Sequence, residues 1–403
     1  MDMGKPVKPL GMNKIQESMK PILVSLKLFG LFYESTNNKI GVEDTQYLGS
    51  SIEKKTRTNT LRKIYCWAVL WCLTISTLRH IPGFWTGAAF VTGFTVPKVI
   101  FTTWSFQSVF SAVLILFYCR NGTFDAYFRL WNKAIMDNKC TCLGSILKDL
   151  RRFSIICTVF AWGFWICNCV GIFLMVFIFN TDFVNSYINP LPNNLTWKLI
   201  LFVCHIYLSS IWVFSIALVL ICSKSITNAF YLHSKTIGCV IKTNPKAFPE
   251  KVEMIRRKHL ELCHLVDILD RPMRMLLVNV LGINIFLACF ILYQLINISD
   301  TLLNTLMMVM WVISAYLGLG SVSWFAAIVN EAGHSPLDHI YDSETDGLST
   351  ERLGQLTLFL SKLTGTSIGF TAMGFFTITK EVILTIVGLY LTYFFLLLQF
   401  RIT

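Results

Sequence analysis

Apolar residues in this chain do not alternate with polar ones; they run together in seven long stretches, roughly 63–80, 99–119, 154–179, 199–222, 275–297, 303–329 and 379–400. Runs of about 20 apolar residues are what an α-helix needs to cross a bilayer, so each predicts a membrane-spanning helix. The first is the weakest, because only Ile64 to Leu78 is uninterrupted before Arg79 and His80, and it depends on basic flanks that snorkel. The pattern predicts an all-α membrane protein with seven transmembrane helices. Four regions follow: an N-terminal segment at 1–62, the first six spans at 63–329, a connecting loop and helix at 330–378, and the last span at 379–403.

Between the spans the helical period continues in places. Ile15, Met19, Ile22, Leu26 and Phe29 recur at helical spacing, which predicts an amphipathic helix lying on the membrane or packing on the bundle. Leu262, Leu265, Val266 and Leu269 share a face, so the fifth span is expected to begin as a helix below the membrane. Ser349 fits an N-cap, with Glu351 in the first turn. It opens a run that places Leu353, Leu356, Phe359, Leu360 and Leu363 on one side of an inner helix. The polar, acidic stretch 333–348 is expected to be a mobile loop.

Composition agrees with the spans: 54% of the residues are hydrophobic and 14% charged, too apolar for a soluble globular chain. The net charge of +12 changes the picture only through its placement. With the N-terminus in the cytoplasm and the C-terminus outside, 31 of the 35 Lys and Arg fall on the inner side, leaving Arg79, Lys98, Lys198 and Arg401 outside. That asymmetry sets the orientation. Basic residues are not interleaved with aromatics as in a nucleic-acid module, so no nucleic acid is expected. None of the 13 cysteines falls in an expected outer loop. Sequons at Asn194 and Asn297 lie outside but hug helix ends. The first apolar run is broken by Lys27 and lacks a cleavage site, so it is no secretory signal.

The last span carries the most pointed pattern. At about 100° per residue, Glu381, Thr385, Gly388, Thr392 and Gln399 fall within one narrow arc of a helix that is otherwise Leu, Ile and Phe. Read from the residues alone, this wet side is either interhelical glue or the lining of a pore.

Thr392-Tyr393, five apolar residues from Phe394 to Leu398, then Gln399-Phe400 resembles the TYhhhhhQF signature of insect gustatory receptors. Phe370-Thr371-Ala372-Met373-Gly374-Phe375-Phe376 looks like the block that precedes the last helix in that family. The resemblance implies a ligand-gated, non-selective channel for monovalent and divalent cations, in the plasma membrane of a chemosensory neuron. It implies a homotetramer, or a heteromer with other gustatory receptors, in which the seventh helix lines a central pore. It places Gln399 and Phe400 at or beside the gate, with Leu396 a turn below and Thr392 on the pore face; Tyr393, about 100° off the stripe, is expected to pack against neighbouring helices. Agonist would enter the outer half of each subunit. Sugar-receptor relatives commonly carry an acid directly after the TY pair, where this chain has Phe394, so a bitter or plant secondary compound is expected over a fructose-type sugar.

A tastant needs a few polar groups in an aromatic cavity. The outer halves of the spans supply Trp104, Gln107, Asn168, His205, Tyr207, Tyr293, Gln294 and Trp311. His205 is the sharpest candidate, since an ionisable residue at that depth faces a cavity or a partner. The alternative for His205 is an interhelical hydrogen bond, for Trp311 packing, and for Tyr293 packing or an interfacial anchor. His334, Asp338 and His339 lie close together in sequence without a ligand set at metal spacing, and Cys140-Thr141-Cys142 is not a CxxC motif. No cofactor is expected, and no phosphate loop, nucleophile elbow or zinc-protease motif points to an enzyme. A G-protein-coupled receptor, the reading that Asp270-Arg271-Pro272 invites, needs the opposite orientation, and a transporter would show saturable uptake in place of agonist-evoked current. An epitope tag at the N-terminus is therefore expected to bind antibody only in permeabilised cells; labelling of intact cells would reverse the topology.

Overall fold

The computed structural model describes residues 14–34, 49–82, 92–136, 143–179, 186–243, 248–297, 302–342 and 349–402. Helices follow one another as α1 Lys14–Ser18, α2 Lys20–Leu28, α3 Gly49–Leu78, α4 Thr92–Arg120, α5 Thr123–Met136, α6 Leu143–Phe173 (drawn out by a π turn at Leu174–Ile178) and α7 Leu195–Thr243. The second half holds α8 Phe248–Asn297, α9 Leu302–His334, α10 Pro336–Tyr341, α11 Thr350–Gly365 and α12 Lys380–Ile402. Two short strands, β1 Thr371–Ala372 and β2 Phe376–Thr377, pair antiparallel ahead of α12, a hairpin that the all-helical expectation did not contain.

Five stretches among the described residues are long and apolar enough to cross a membrane: Val96–Arg120, Gly144–Ile178, Leu195–Thr243, Glu250–Ile296 and Leu302–Tyr341. They correspond to the second through sixth expected spans. The first and seventh, in α3 and α12, are outside that set.

The axis of the bundle is α7, buried along most of its length against α4, α6, α8 and α9. It tolerates that burial despite its serines because their hydroxyls bond back within the helix. Ser210 Oγ donates to the Tyr207 carbonyl at 2.7 Å and Ser223 Oγ to the Val219 carbonyl at 2.8 Å. Asn194, the first sequon, caps this helix by accepting the Trp197 N–H at 3.0 Å. Both α7 and α8 continue well past their apolar cores, and Leu262, Leu265, Val266 and Leu269 of the α8 stripe are all buried.

The N-terminal stripe packs on the bundle. Ile15, Met19, Ile22, Leu26 and Phe29 are all buried, and the stripe bends into α1 and α2 around Met19. Phe29 reaches an aromatic nest within the spans, 5.2 Å from Trp165 and 5.4 Å from Phe214 between ring centroids.

Two inner features depart from the sequence reading. The stretch expected as a mobile loop is helical as far as Tyr341, since α9 runs on to His334 and Pro336 starts α10 with Asp338 in its first turn. Residues 343–348 lie outside the described residues, as do Cys140 and Cys142. In α11, Ser349 caps as expected, accepting from the Arg352 N–H at 3.5 Å, but only Leu356, Phe359 and Leu363 of its stripe are buried and Leu353 is exposed.

The hairpin is pinned to α8. Asp270 takes the Thr371 N–H at 2.7 Å and the Thr371 hydroxyl at 2.9 and 3.1 Å. Burial pushes the Asp270 carboxyl up, while the Thr371 donors pull it back down. The hairpin then turns through Met373 and Gly374, both at positive φ (52° and 83°), a conformation that glycine adopts without steric cost. On its other side α9 comes close, and a methyl at Gly333 would stand 2.8 Å from Ile368 Cγ2. Position and tilt of α12 are thus set from α8 and α9, to which the Lys380–Glu331 pair adds a surface tie at 2.6 Å.

Where the inner ends of α7, α8, α9 and α11 meet, histidines gather. His233 and His259 stack 5.8 Å apart, and His259 lies 5.2 Å from Phe359. His334 Nδ1 sits 2.7 Å from the Leu363 carbonyl. Neither nitrogen of His259 has a hydrogen-bond partner. Burial, aided by Lys258, lowers His233 from the ordinary 6.5 to about 4. Burial again, with His233, His334 and Lys362 nearby, lowers His259 to about 3. Depressed histidines contribute stability above the unfolded value and lose it as the unfolded state takes up protons first. Acidification below pH 6.5 should therefore destabilise the detergent-purified protein progressively, down to about pH 4. Melting curves across that window check this, and His259→Phe is expected to roughly halve the slope.

Candidate functional site

In the upper bundle, α4, α6, α7, α8 and α9 enclose a cavity. Its wall repeats at helical spacing: Ile100, Phe101 and Trp104 from α4, Phe164 and Asn168 from α6, His205, Ser209 and Trp212 from α7, Leu287 and Ile291 from α8, and Trp311, Ser314 and Ala315 from α9. The space open to the centre of a water-sized sphere is about 40 Å³, and the wall is mostly apolar.

The polar groups in that wall form an ordered chain. Trp311 Nε1, which can only donate, gives its hydrogen to Asn168 Oδ1 at 2.8 Å. That fixes the amide, so Asn168 Nδ2 is the group 3.0 Å from His205 Nε2. His205 Nε2 must then accept, and the imidazole proton sits on Nδ1. Nδ1 is buried and has no partner among the described residues. Among the described wall residues two donors are therefore unused, His205 Nδ1, whose ring lies 5.0 Å from that of Trp104, and Trp212 Nε1. Such a site suits a small aromatic molecule with an acceptor oxygen or nitrogen.

Of the residues singled out as ligand candidates, Trp104, Asn168, His205 and Trp311 line this cavity. The other four lie off its wall. Gln107 is buried one turn inward, its Nε2 shared between Asn284 Oδ1 at 3.2 Å and the Asn279 carbonyl at 3.4 Å. Tyr207 faces the other way, its hydroxyl 3.3 Å from that of Tyr65, because a step of two residues from His205 turns the helix by about 200°. Tyr293 is half-buried and Gln294 buried, both away from the wall. Restricting the search to outer halves missed Phe164 and Trp212, which sit on the inner side of the middle of their spans. Phe101 met that criterion without being singled out, and Ser209 and Ser314 carry no sequence signal beyond spacing from His205 and Trp311.

The last helix is attached along one line. Among the described side chains of α12 the buried one is Tyr390, its hydroxyl donating to the Asn284 carbonyl at 3.1 Å and its ring 5.0 Å from Tyr316. On an ideal helix Tyr390 stands about 180° from the arc that holds Glu381, Thr385, Gly388, Thr392 and Gln399. All five of those residues are exposed. Thr392 and Thr385 satisfy their hydroxyls on the carbonyls of Gly388 and Glu381, at 2.9 and 3.4 Å. The polar stripe therefore points away from the subunit's own body. Leu396 and Tyr393 are also exposed, so among the described residues of one chain Tyr393 does not find the packing expected for it. The Phe400 side chain lies outside the described residues.

Asn284 joins the two regions. Its carbonyl holds Tyr390 and its side chain holds Gln107, while Leu287, one turn along α8, is in the cavity wall. On α9, Ser314 and Ala315 in the wall immediately precede Tyr316, which contacts Tyr390.

Comparison with known proteins identifies the architecture. Two structures of the insect olfactory receptor OR5 from Machilis hrabei share the fold. The one in complex with eugenol superposes with a TM-score of 0.72 at 15% identity, over 96% of this chain and 98% of that one. The other gives 0.70 at 14% identity over the same shares. No curated protein matches the sequence. The family model described as 7tm Chemosensory receptor matches residues 19–403, nearly the whole length. The chain belongs to the 7tm chemosensory receptor family.

Proposed function

We propose that this chain is a gustatory receptor subunit of a ligand-gated, non-selective cation channel, opened by a small molecule bound in the cavity around His205. In this reading it has seven spans, a cytoplasmic N-terminus and an extracellular C-terminus, and four copies place α12 around one pore in the plasma membrane of a chemosensory neuron. The observation that carries it is the direction of the α12 stripe, exposed on the side opposite the Tyr390 attachment. A polar face costs free energy against lipid, whereas the same face in several copies can surround water. Interhelical glue within the subunit is the poorer account, because the stripe makes no side-chain bond to another helix among the described residues.

The gustatory assignment rests on the Thr392-Tyr393 and Gln399-Phe400 signature. The structural likeness to an olfactory receptor favours a second reading, in which the agonist is a volatile. Since eugenol is a small phenol, the bound relative fits either kind of agonist and supports the small, acceptor-bearing aromatic class.

Whole-cell recording from a heterologous cell expressing the chain, alone or with a partner receptor, tests the channel itself. Agonist-evoked current carried by several cations is expected, whereas saturable uptake without such current would assign a transporter. Soluble plant compounds outperforming volatiles and sugars would uphold the gustatory reading. With an agonist in hand, Gln399→Ala is expected to change the calcium-to-sodium permeability ratio by about twofold or more at normal surface expression. An unaltered ratio and dose response would remove Gln399 from the conduction path. His205→Ala and Trp311→Ala should each raise the half-maximal agonist concentration about tenfold, the cost of one buried hydrogen bond, without touching selectivity. Tyr293→Ala, off the cavity wall, should stay within about twofold of wild type.

A further inference from the structure

Behind the outer wall of the cavity lies a cluster of basic residues that the channel reading does not use. Arg79, at the outer end of α3, donates from Nη1 to the Ile188 carbonyl at 3.1 Å. Its guanidinium sits over the Tyr187 ring, with Cζ 4.9 Å from the centroid. Nε and Nη2 are buried and, among the described residues, make no hydrogen bond of good geometry, the Tyr187 hydroxyl being a weak partner of the guanidinium. Those two nitrogens share one edge of the guanidinium, the edge whose parallel N–H groups match the two oxygens of a carboxylate. No aspartate or glutamate pairs with Arg79 among the described residues.

One further cation, Lys98, deepens the field, with a buried histidine beside it. His80 is almost wholly buried with Nδ1 unpartnered, its ring 5.8 Å from Tyr187. Lys98, also buried, reaches Asn189 Oδ1 at 3.3 Å. Sealing a guanidinium from water with half its donors unused is costly, and an anion on the free edge offsets that cost. One ring separates this edge from the cavity. Tyr187 lies 4.8 Å from Phe101 and 6.1 Å from His205, both in the cavity wall.

We propose that the free Nε and Nη2 edge of Arg79 is a carboxylate-binding fork, which makes the receptor selective for small aromatic acids. The aromatic body occupies the His205 cavity, the Tyr187 ring turns aside, and the carboxylate meets Arg79 with Lys98 adding positive potential. This rests on the reading of that cavity as the agonist site.

Benzoate and its neutral methyl ester serve as the probe pair, with binding to the purified full-length protein read by thermal shift. Wild type is expected to bind benzoate at least about tenfold more tightly than methyl benzoate, the worth of one charge-assisted pair. Arg79→Gln should bring the two together. Arg79→Lys, which keeps the charge and loses the fork, should lose most of the preference. His205→Ala should weaken both probes and preserve their ratio. Equal affinity in wild type, a ratio that survives Arg79→Gln, or binding of neither probe would overturn the fork. An advantage erased by equimolar chloride would assign the edge to an inorganic anion and overturn it as well. The wild-type ratio is decisive even if Arg79→Gln does not fold. Agonist-evoked current from neutral compounds, moved by His205→Ala, would leave the cavity reading standing if the fork falls.

Discussion

A chain that is 54% hydrophobic cannot arrange its helices in a bilayer by hydrophobicity alone, because lipid tails are as apolar as leucine. What selects one arrangement is the need to pair polar side chains inside the bundle. Trp311, Asn168 and His205 tie α9 to α6 and α7. Gln107, Asn279 and Ser111 lock α4 against α8, with Asn279 Nδ2 donating to Ser111 Oγ at 2.8 Å and to the Gln107 carbonyl at 3.0 Å. Asn284 extends that second network to α12 through Tyr390. The cavity and the attachment of the last helix are both by-products of this pairing, which is why they share α8 and α9.

Much of the fold was legible in the sequence, for reasons that differ by element. The middle spans announce themselves because nothing else in a protein needs 20 consecutive apolar residues. The N-terminal stripe was visible from its period, but only the structure chooses between a membrane surface and the Trp162, Trp165 and Phe214 nest. The polar, acidic stretch 333–348 reads as a loop, whereas Pro336 within it starts a helix whose Ile340 is buried. The β1–β2 hairpin had no local signature, since it depends on a carboxylate a hundred residues away, at Asp270.

The site was legible in part, and the dividing line is helix rotation. Polarity at depth picked out His205 and Asn168, because both are costly to place without a partner. It could not separate them from Tyr207 or Gln107, which are just as polar but bond to other partners, Tyr65 and Asn284. The tautomer of His205 was beyond the sequence altogether, since it follows from a donor on a different helix, Trp311. In α12 the opposite holds. Its stripe could be calculated from spacing alone, while the residue that orients the stripe, Tyr390, is an ordinary aromatic until its partner carbonyl is seen.

The unbroken length of α7 has a mechanical consequence. It contributes His205 and Trp212 to the cavity wall and runs without interruption to Thr243. From the cavity to that end is about 30 residues, or about 45 Å at 1.5 Å per residue. A rod of that length acts as a lever: a one-degree tilt pivoting at the cavity moves the far end by about 0.8 Å. The far end passes His233 and then Gly238, where an added methyl would press against the His339 ring at 3.0 Å. Close packing there couples a slight reorientation in the upper bundle to the histidine-rich base.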